Sequence, residues 1–368
     1  MPAAPLVSVV VPAFNVERWV GACLRSLLAQ TCGDLEILVV DDGSTDRTAA
    51  IVETYAARDP RIRLLSQDNA GGAAARNRGL DEARGAFVAL QDADDFSHPL
   101  RLERQVDKLR RNPSLAVMGT GARVVSARGR HLGLLVPSLD SAEVAERIRS
   151  RMAYVHSSIM VRREVVDHGI RYRAGMVNAH DLDFLMRVHE SFMGSSLREP
   201  LYGYRMHGDQ LTNRHAIGGA VRSAWSDAVR AGSVDPTLAP IAGCPGRHEA
   251  LALGLLPEKL DAMVLARADY ILLTLRAAGL PDYRELADEL HRWFEDGGAS
   301  PETMRRVRAL GVVYGGRKRG TWADALWARR EVARALEREL RYLAHRAKTA
   351  PAAWRWRVPA DILDPPDE

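Results

Sequence analysis

Cysteine is nearly absent: Cys23, Cys32 and Cys244 are the only three in 368 residues. An odd, widely spaced trio without a CxxC pair argues against a disulfide framework and against a cysteine-built zinc site. Isolated thiols of this kind suit a reducing cytoplasm. Long hydrophobic runs are lacking as well. The N-terminal stretch MPAAPLVSVVVPAFN has no basic region in front of its apolar core, and that core is short for a signal sequence. Farther on, AMVLARADYILLTLRAAG is interrupted by Arg267, Asp269 and Arg276, whereas a spanning helix needs about 20 predominantly apolar residues. A soluble, cytoplasmic chain is expected, at most peripheral to the inner face of a membrane. No sign of charge dominates: 51 Lys and Arg face 47 Asp and Glu, a net charge of +4. That balance permits anionic partners without pointing to nucleic acid.

What is present is a rhythm. LVSVVVP (6–12), LEILVV (35–40), IRLL (62–65) and AFVALQ (86–91) are short aliphatic runs that read as buried strands. Amphipathic stretches near 16–30, 46–58 and 72–84 alternate with them. This β-α-β-α-β-α-β order predicts an α/β fold with a parallel sheet and helices on both faces. A helix near 100–111, strands near 115–125 and 131–136, a helix near 141–150, a strand over 154–161, a helix near 181–190 and a strand ending in LYGYR follow. Residues 216–250, rich in Gly and Pro, read as a linker or irregular crossing. A helical C-terminal domain is expected over 251–349 and an extended tail over 350–368. The catalytic domain would then span 1–215.

Ligands of such sheets bind beyond the carboxyl ends of the strands, and three polar clusters fall there. VVDDGSTD ends the second strand with Asp41 and Asp42. A capping turn accounts for Ser44 or Asp46 but leaves adjacent aspartates at the end of a doubly buried strand unexplained, and a carboxylate there suits the ring N–H of a pyrimidine base. NAGGAAARNRG puts small residues at a helix start, where anions are favoured, with Arg76 about one turn in. If the strand stays extended, QDADD puts Asp92 and Asp94 on one side of it. Paired carboxylates of this kind suit Mg²⁺ or Mn²⁺, which take oxygen ligands and bridge to phosphates.

Together SVVVPAFN, LEILVVDDGSTDRT, NAGGAAARNRGL, GAFVALQDADD, HPLRLERQ and YRMH, in that order over residues 6–215, resemble glycosyltransferase family 2. The resemblance implies a GT-A fold, with its Rossmann-like, mostly parallel sheet, and an inverting transfer from a nucleoside-diphosphate sugar, UDP-linked by expectation. It implies that Pro12, Phe14 and Asn15 frame the nucleotide, that Asp42 and Arg76 lie at the base, and that Asp92 lies near the ribose. Asp94 would hold a divalent cation on the diphosphate with Asp95 close by, and His207 would ligate the metal or contact the diphosphate. Asp181 in NAHDLDFLMR takes the position of the general base, with His180 where the family customarily has glutamate. His156 is a candidate for lining the acceptor cleft.

The QxxRW signature of processive synthases is missing, which favours addition of a single sugar. The acceptor is left open between a glycan, a lipid-linked or peptide acceptor and a small molecule. The C-terminal helices would shape acceptor choice or join copies into a homo-oligomer, and WRWR (354–357) offers a peripheral membrane contact. Two other readings compete: a nucleotide-sugar sensor that kept the fold without catalysis, and a sugar nucleotidyltransferase. The second would want a Gly-rich basic loop after the first strand, which PAFNVERW does not provide.

Overall fold

The structure, a computed structural model, describes residues 4–135, 137, 140–148, 152–173 and 180–207, and with them 304 and 307. The expected linker, the tail and nearly all of the expected helical domain lie outside these residues. The chain divides into two compact units with a boundary after Arg205, and the site residues below, His207 apart, belong to the first.

The first half alternates as the hydrophobic pattern predicts. In order come β1 (Val7–Ala13), α1 (Glu17–Leu28), β2 (Leu35–Asp41), α2 (Thr48–Ala56), β3 (Ile62–Ser66), α3 (Gly72–Glu82) and β4 (Phe87–Leu90). β1 pairs in parallel with β2 and β4, and β2 with β3. Because side chains alternate along a strand, Val9 and Val11 pack in one core layer with Leu24 and Leu27 of α1, while Val10 packs in the other with Leu80 of α3. Burying a leucine side chain fully is worth roughly 1.5–3 kcal/mol, so these two layers hold the parallel half. α3 lies close on the sheet because Gly79 has no Cβ; one built there would stand 2.2 Å from Val10 Cγ1.

The second half brings in antiparallel pairing. It comprises β5 (Phe96–Ser97), α4 (Arg101–Arg111), β6 (Leu115–Ser126), β7 (His131–Leu135), α5 (Ser141–Arg147), β8 (Met160–Arg162), α6 (Arg163–Asp167), α7 (His180–Val188) and β9 (Met193–Met206). The sheet runs β3-β2-β1-β4-β8-β6-β9-β5, with β7 paired to β6. The expected GT-A layout is thus present as a mixed sheet: the first four strands are parallel, and β8 runs antiparallel to both β4 and β6. The strand expected over 154–161 is shorter. A 3₁₀ turn, His156–Ser158, precedes β8, because the Ser158 amide and hydroxyl both donate to the Val155 carbonyl, at 2.9 and 2.7 Å. Such local bonds compete with a strand ladder. Among the described residues no helix is long and apolar enough to cross a membrane.

Candidate active site

The loops after β1 and β2 are laced to each other. Asn15 adopts φ 51°, a left-handed conformation that asparagine tolerates. Its amide oxygen accepts from the Thr45 amide at 2.8 Å, and its own backbone N–H donates to Ser44 Oγ at 3.0 Å. Asp46 accepts from the Glu17 amide at 3.0 Å and Thr48 Oγ1 from the Val16 amide at 2.9 Å, which satisfies the start of α1 in the absence of a cap of its own. Pro12 is half-buried and pairs in register with Val40. Phe14 projects outward, 47% exposed.

Asp42 is buried and organises the next loop. Its Oδ1 accepts from Gln67 Nε2 at 2.7 Å and the Ala70 amide at 2.9 Å, and its Oδ2 from the Gly71 amide at 2.8 Å. A carboxylate offers about four lone-pair positions, so three are spent on the chain that leads into α3. Gly43, with φ 73°, lets that chain approach: a Cβ there would stand 2.9 Å from the Asn69 amide nitrogen.

Asp92, Asp94 and Asp95 converge just beyond β4, their carboxylate oxygens within 4.8 Å of one another. Their surroundings differ. Asp92 Oδ1 accepts from Arg76 Nη2 at 2.7 Å, and its other oxygen accepts from the Ser157 hydroxyl. Burial opposes its ionisation, yet Arg76 and the Ser157 hydroxyl hold the carboxyl below its usual range. Asp95 is buried, with Tyr202 Oη donating to it at 2.8 Å and the Arg205 amide at 2.7 Å. Burial first, then repulsion from Asp94 and Asp92, pushes its carboxyl well above the usual range. A divalent cation would relieve that crowding, so the residues fit one. Asp94 faces outward enough to ligate it, whereas the oxygens of Asp92 are engaged with Arg76 and Ser157 and those of Asp95 with β9.

A second set gathers beside the first. His180 and Asp181 open α7, and the Asp181 carboxylate accepts from its neighbour's amide, Leu182, at 2.8 Å. Burial works against ionisation of Asp181, but the imidazoles of His156 and His180, the Leu182 amide and Arg76 outweigh it and hold the carboxyl low. His180 Nε2 lies 3.3 Å from Arg76 Nη1. A guanidinium can only donate, so that ring nitrogen accepts and the imidazole is neutral. Burial, followed by the charge of Arg76, lowers the His180 pKa to about 4, and burial chiefly does the same to His156. Arg76 therefore joins the two sets, bonded to Asp92 on one side and His180 on the other.

His207 is buried and lies beyond the unit boundary. Four residues that the sequence did not single out complete the arrangement. Ser157 and Tyr202 bond Asp92 and Asp95. Arg205 donates from Nε to the Asp94 carbonyl at 3.1 Å. Tyr172 meets both site histidines edge-on, with ring centroids 5.8 Å apart in each pair. The YRMH motif contained Arg205, but nothing in the spacing connected Tyr172 or Ser157 to the strand-end aspartates.

The family model for glycosyl transferase family 2 matches residues 8–169. An uncharacterized glycosyltransferase of Bacillus subtilis, EpsJ, is 32% identical over 225 residues, covering 56% of this chain and 63% of that protein. EpsE of the same organism, a putative glycosyltransferase, is 33% identical over 219 residues, covering 58% of this chain and 78% of that protein. The chain thus spans under two thirds of EpsJ and more than two thirds of EpsE. Among solved structures, S. aureus TarS 1–349 in complex with UDP-GlcNAc aligns with a TM-score of 0.50 at 19% identity, covering 84% of this chain and 91% of that one. At that identity the likeness is one of fold, and the fold is GT-A.

Proposed function

Because the chain belongs to glycosyl transferase family 2, we propose that it is an inverting transferase that moves one sugar from a nucleoside-diphosphate sugar, UDP-linked, to an acceptor nucleophile. The observation that carries this reading is the meeting of two unlike acidic groups, joined by Arg76. One is the crowded Asp92, Asp94 and Asp95 cluster at a strand end. The other is Asp181, a lone carboxylate held in its ionised form.

In this reading Asp181 accepts the proton of the acceptor hydroxyl as its oxygen attacks the anomeric carbon. The bond to the nucleoside diphosphate breaks on the opposite face, so the configuration inverts. Arg76, with Asp92 and the loop that Asp42 organises, orients the nucleotide end, and Pro12, Phe14 and Asn15 frame it. A Mn²⁺ or Mg²⁺ ion held by Asp94 would neutralise charge on the departing diphosphate. Asp95, tied to Tyr202 and Arg205, sets the direction of that strand end.

The test is UDP binding by calorimetry, with Mn²⁺ and with EDTA. Affinity is expected to fall at least about tenfold on chelation, a change of about 1.4 kcal/mol. Equal affinity in both would remove the metal from the reading. Asp42→Ala has two expected effects, since its carboxylate serves both ligand and loop. UDP affinity falls, and stability drops by about 1–3 kcal/mol as the Gln67, Ala70 and Gly71 donors lose their acceptor. A variant that melts lower yet binds UDP like the parent would confine Asp42 to the loop.

A further inference from the structure

Resting on that reading, we propose that Tyr172 is a positioning residue for the Asp181 end of the site, clamped in place by Asn77. Tyr172 lies in an irregular segment, where among the described residues no strand pairs with its backbone. The Asn77 side chain replaces one. Its Nδ2 donates to the Tyr172 carbonyl at 2.7 Å, and its Oδ1 accepts from the Tyr172 amide at 2.7 Å. Asn77 follows Arg76 on α3, so the residue that bonds Asp92 and the residue that pins Tyr172 share one helical turn.

From that anchor the ring reaches the other two elements of the site. It stacks on Phe184 of α7, centroids 4.2 Å apart and planes 14° apart. Phe184 stands three residues after Asp181, close to one turn. Its edges meet His180 on α7 and His156 on the 3₁₀ turn, and the Arg76 guanidinium lies 5.9 Å from its centroid. Its hydroxyl makes a 2.9 Å hydrogen bond with His156 Nε2. A tyrosine that merely filled the core would be served as well by phenylalanine. Here the ring packs and the hydroxyl orients, and the two roles can be separated.

The groups acting on His156 are Asp181 and Asp92, which favour its charged form, and Arg76, which opposes it alongside burial. His180 also meets the Tyr172 ring edge-on. With the tyrosine hydroxyl gone, His156 Nε2 loses its fixed partner and the imidazole is free to turn or to take up a proton.

The experiment compares Tyr172→Phe with the full-length parent. Its kcat is expected to fall about tenfold or more, the effect of one unmade buried hydrogen bond of at least about 1.4 kcal/mol. KM for the nucleotide sugar stays within about twofold, and the acid limb of the pH–rate profile moves to higher pH. In parallel, ¹⁵N-histidine spectra, with the His156 signals identified through His156→Gln, should show a changed His156 tautomer or protonation in Tyr172→Phe. Asn77→Ser, which loses the paired clamp, should shift the same signals if it folds. Unchanged His156 signals and an unchanged pH profile in Tyr172→Phe would overturn the proposal. The spectra need no turnover, so they decide the positioning role even if the parent proves to transfer no sugar, which would count against the proposed function instead.

Discussion

Asp181→Asn should bind nucleotide sugar and metal nearly as the parent does, while transfer falls by about 10²–10⁴-fold, the range typical of a lost general base. Asparagine keeps the shape, and its amide oxygen still accepts from the Leu182 amide at the start of α7, so the helix has no reason to move. What goes is the ability to take the acceptor's proton. The comparison is made at saturating donor under single-turnover conditions, where chemistry sets the rate. A rate within a few-fold of the parent would take Asp181 out of the mechanism and turn attention to His156 and Asp183. The latter is the weaker candidate, because Arg187 Nη2 already occupies its carboxylate at 2.7 Å.

The same site has a defined pH behaviour. With His156 and His180 pKa values near 4, both imidazoles are neutral from about pH 5 upward, and Asp181 is ionised over the same span. The parent should therefore show no limb near the ordinary histidine pKa of about 6.5. The sign for stability follows. In the window from about 6.5 down to 4 the unfolded chain binds protons that the folded site refuses, so stability falls as pH falls through it. His180→Ala is then expected to slow transfer less than Asp181→Asn does, without introducing or removing a limb near neutrality.

Much of this is legible in the sequence. The parallel half declared itself because β1, β2 and β4 are buried on both faces and its helices on one, which writes two distinct periods into the sequence. The strand-end aspartates were visible because charge has no business at the end of a buried run unless something opposes it. Less legible was the second half, whose short pieces, α6 and β5 among them, are set by partners far along the chain. The turn at His156 depends on Ser158 bonding back to Val155, and the place of Tyr172 depends on Asn77, 95 residues earlier. No local pattern encodes a pairing of that span. Asp42 illustrates a different gap: its position was readable, but its three bonds to the following loop were not.

Arg101 carries the other large expected effect, and it acts on stability. It is fully buried at the start of α4, in the HPLRLERQ motif, and its guanidinium bonds Leu90 and Gln91, the residues just before Asp92. Nη1 donates to Gln91 Oε1 at 2.8 Å and Ser97 Oγ at 2.9 Å, Nη2 to the Leu90 carbonyl at 2.6 Å and the Ser157 carbonyl at 3.3 Å, and Nε to Gln105 Oε1 at 3.2 Å. Burial lowers its pKa to about 10, so at neutral pH it remains a charge satisfied entirely by protein oxygens. Arg101→Met fills similar space but strands those neutral acceptors, and each buried acceptor left unmade costs about 1–3 kcal/mol. In urea the midpoint should fall with the slope unchanged, the signature of lost stability rather than an altered unfolded state. Arg101→Lys keeps the charge but lacks the planar fork that reaches all five partners, so it should recover only part of the loss. The effect should also reach the ligand. Ser157 is held through its carbonyl by Arg101 and holds Asp92 through its hydroxyl, so a folded Arg101→Lys should bind UDP more weakly. A midpoint for Arg101→Met within about 1 kcal/mol of the parent, or full UDP affinity in Arg101→Lys, would show that the network is dispensable to the strand-end aspartates.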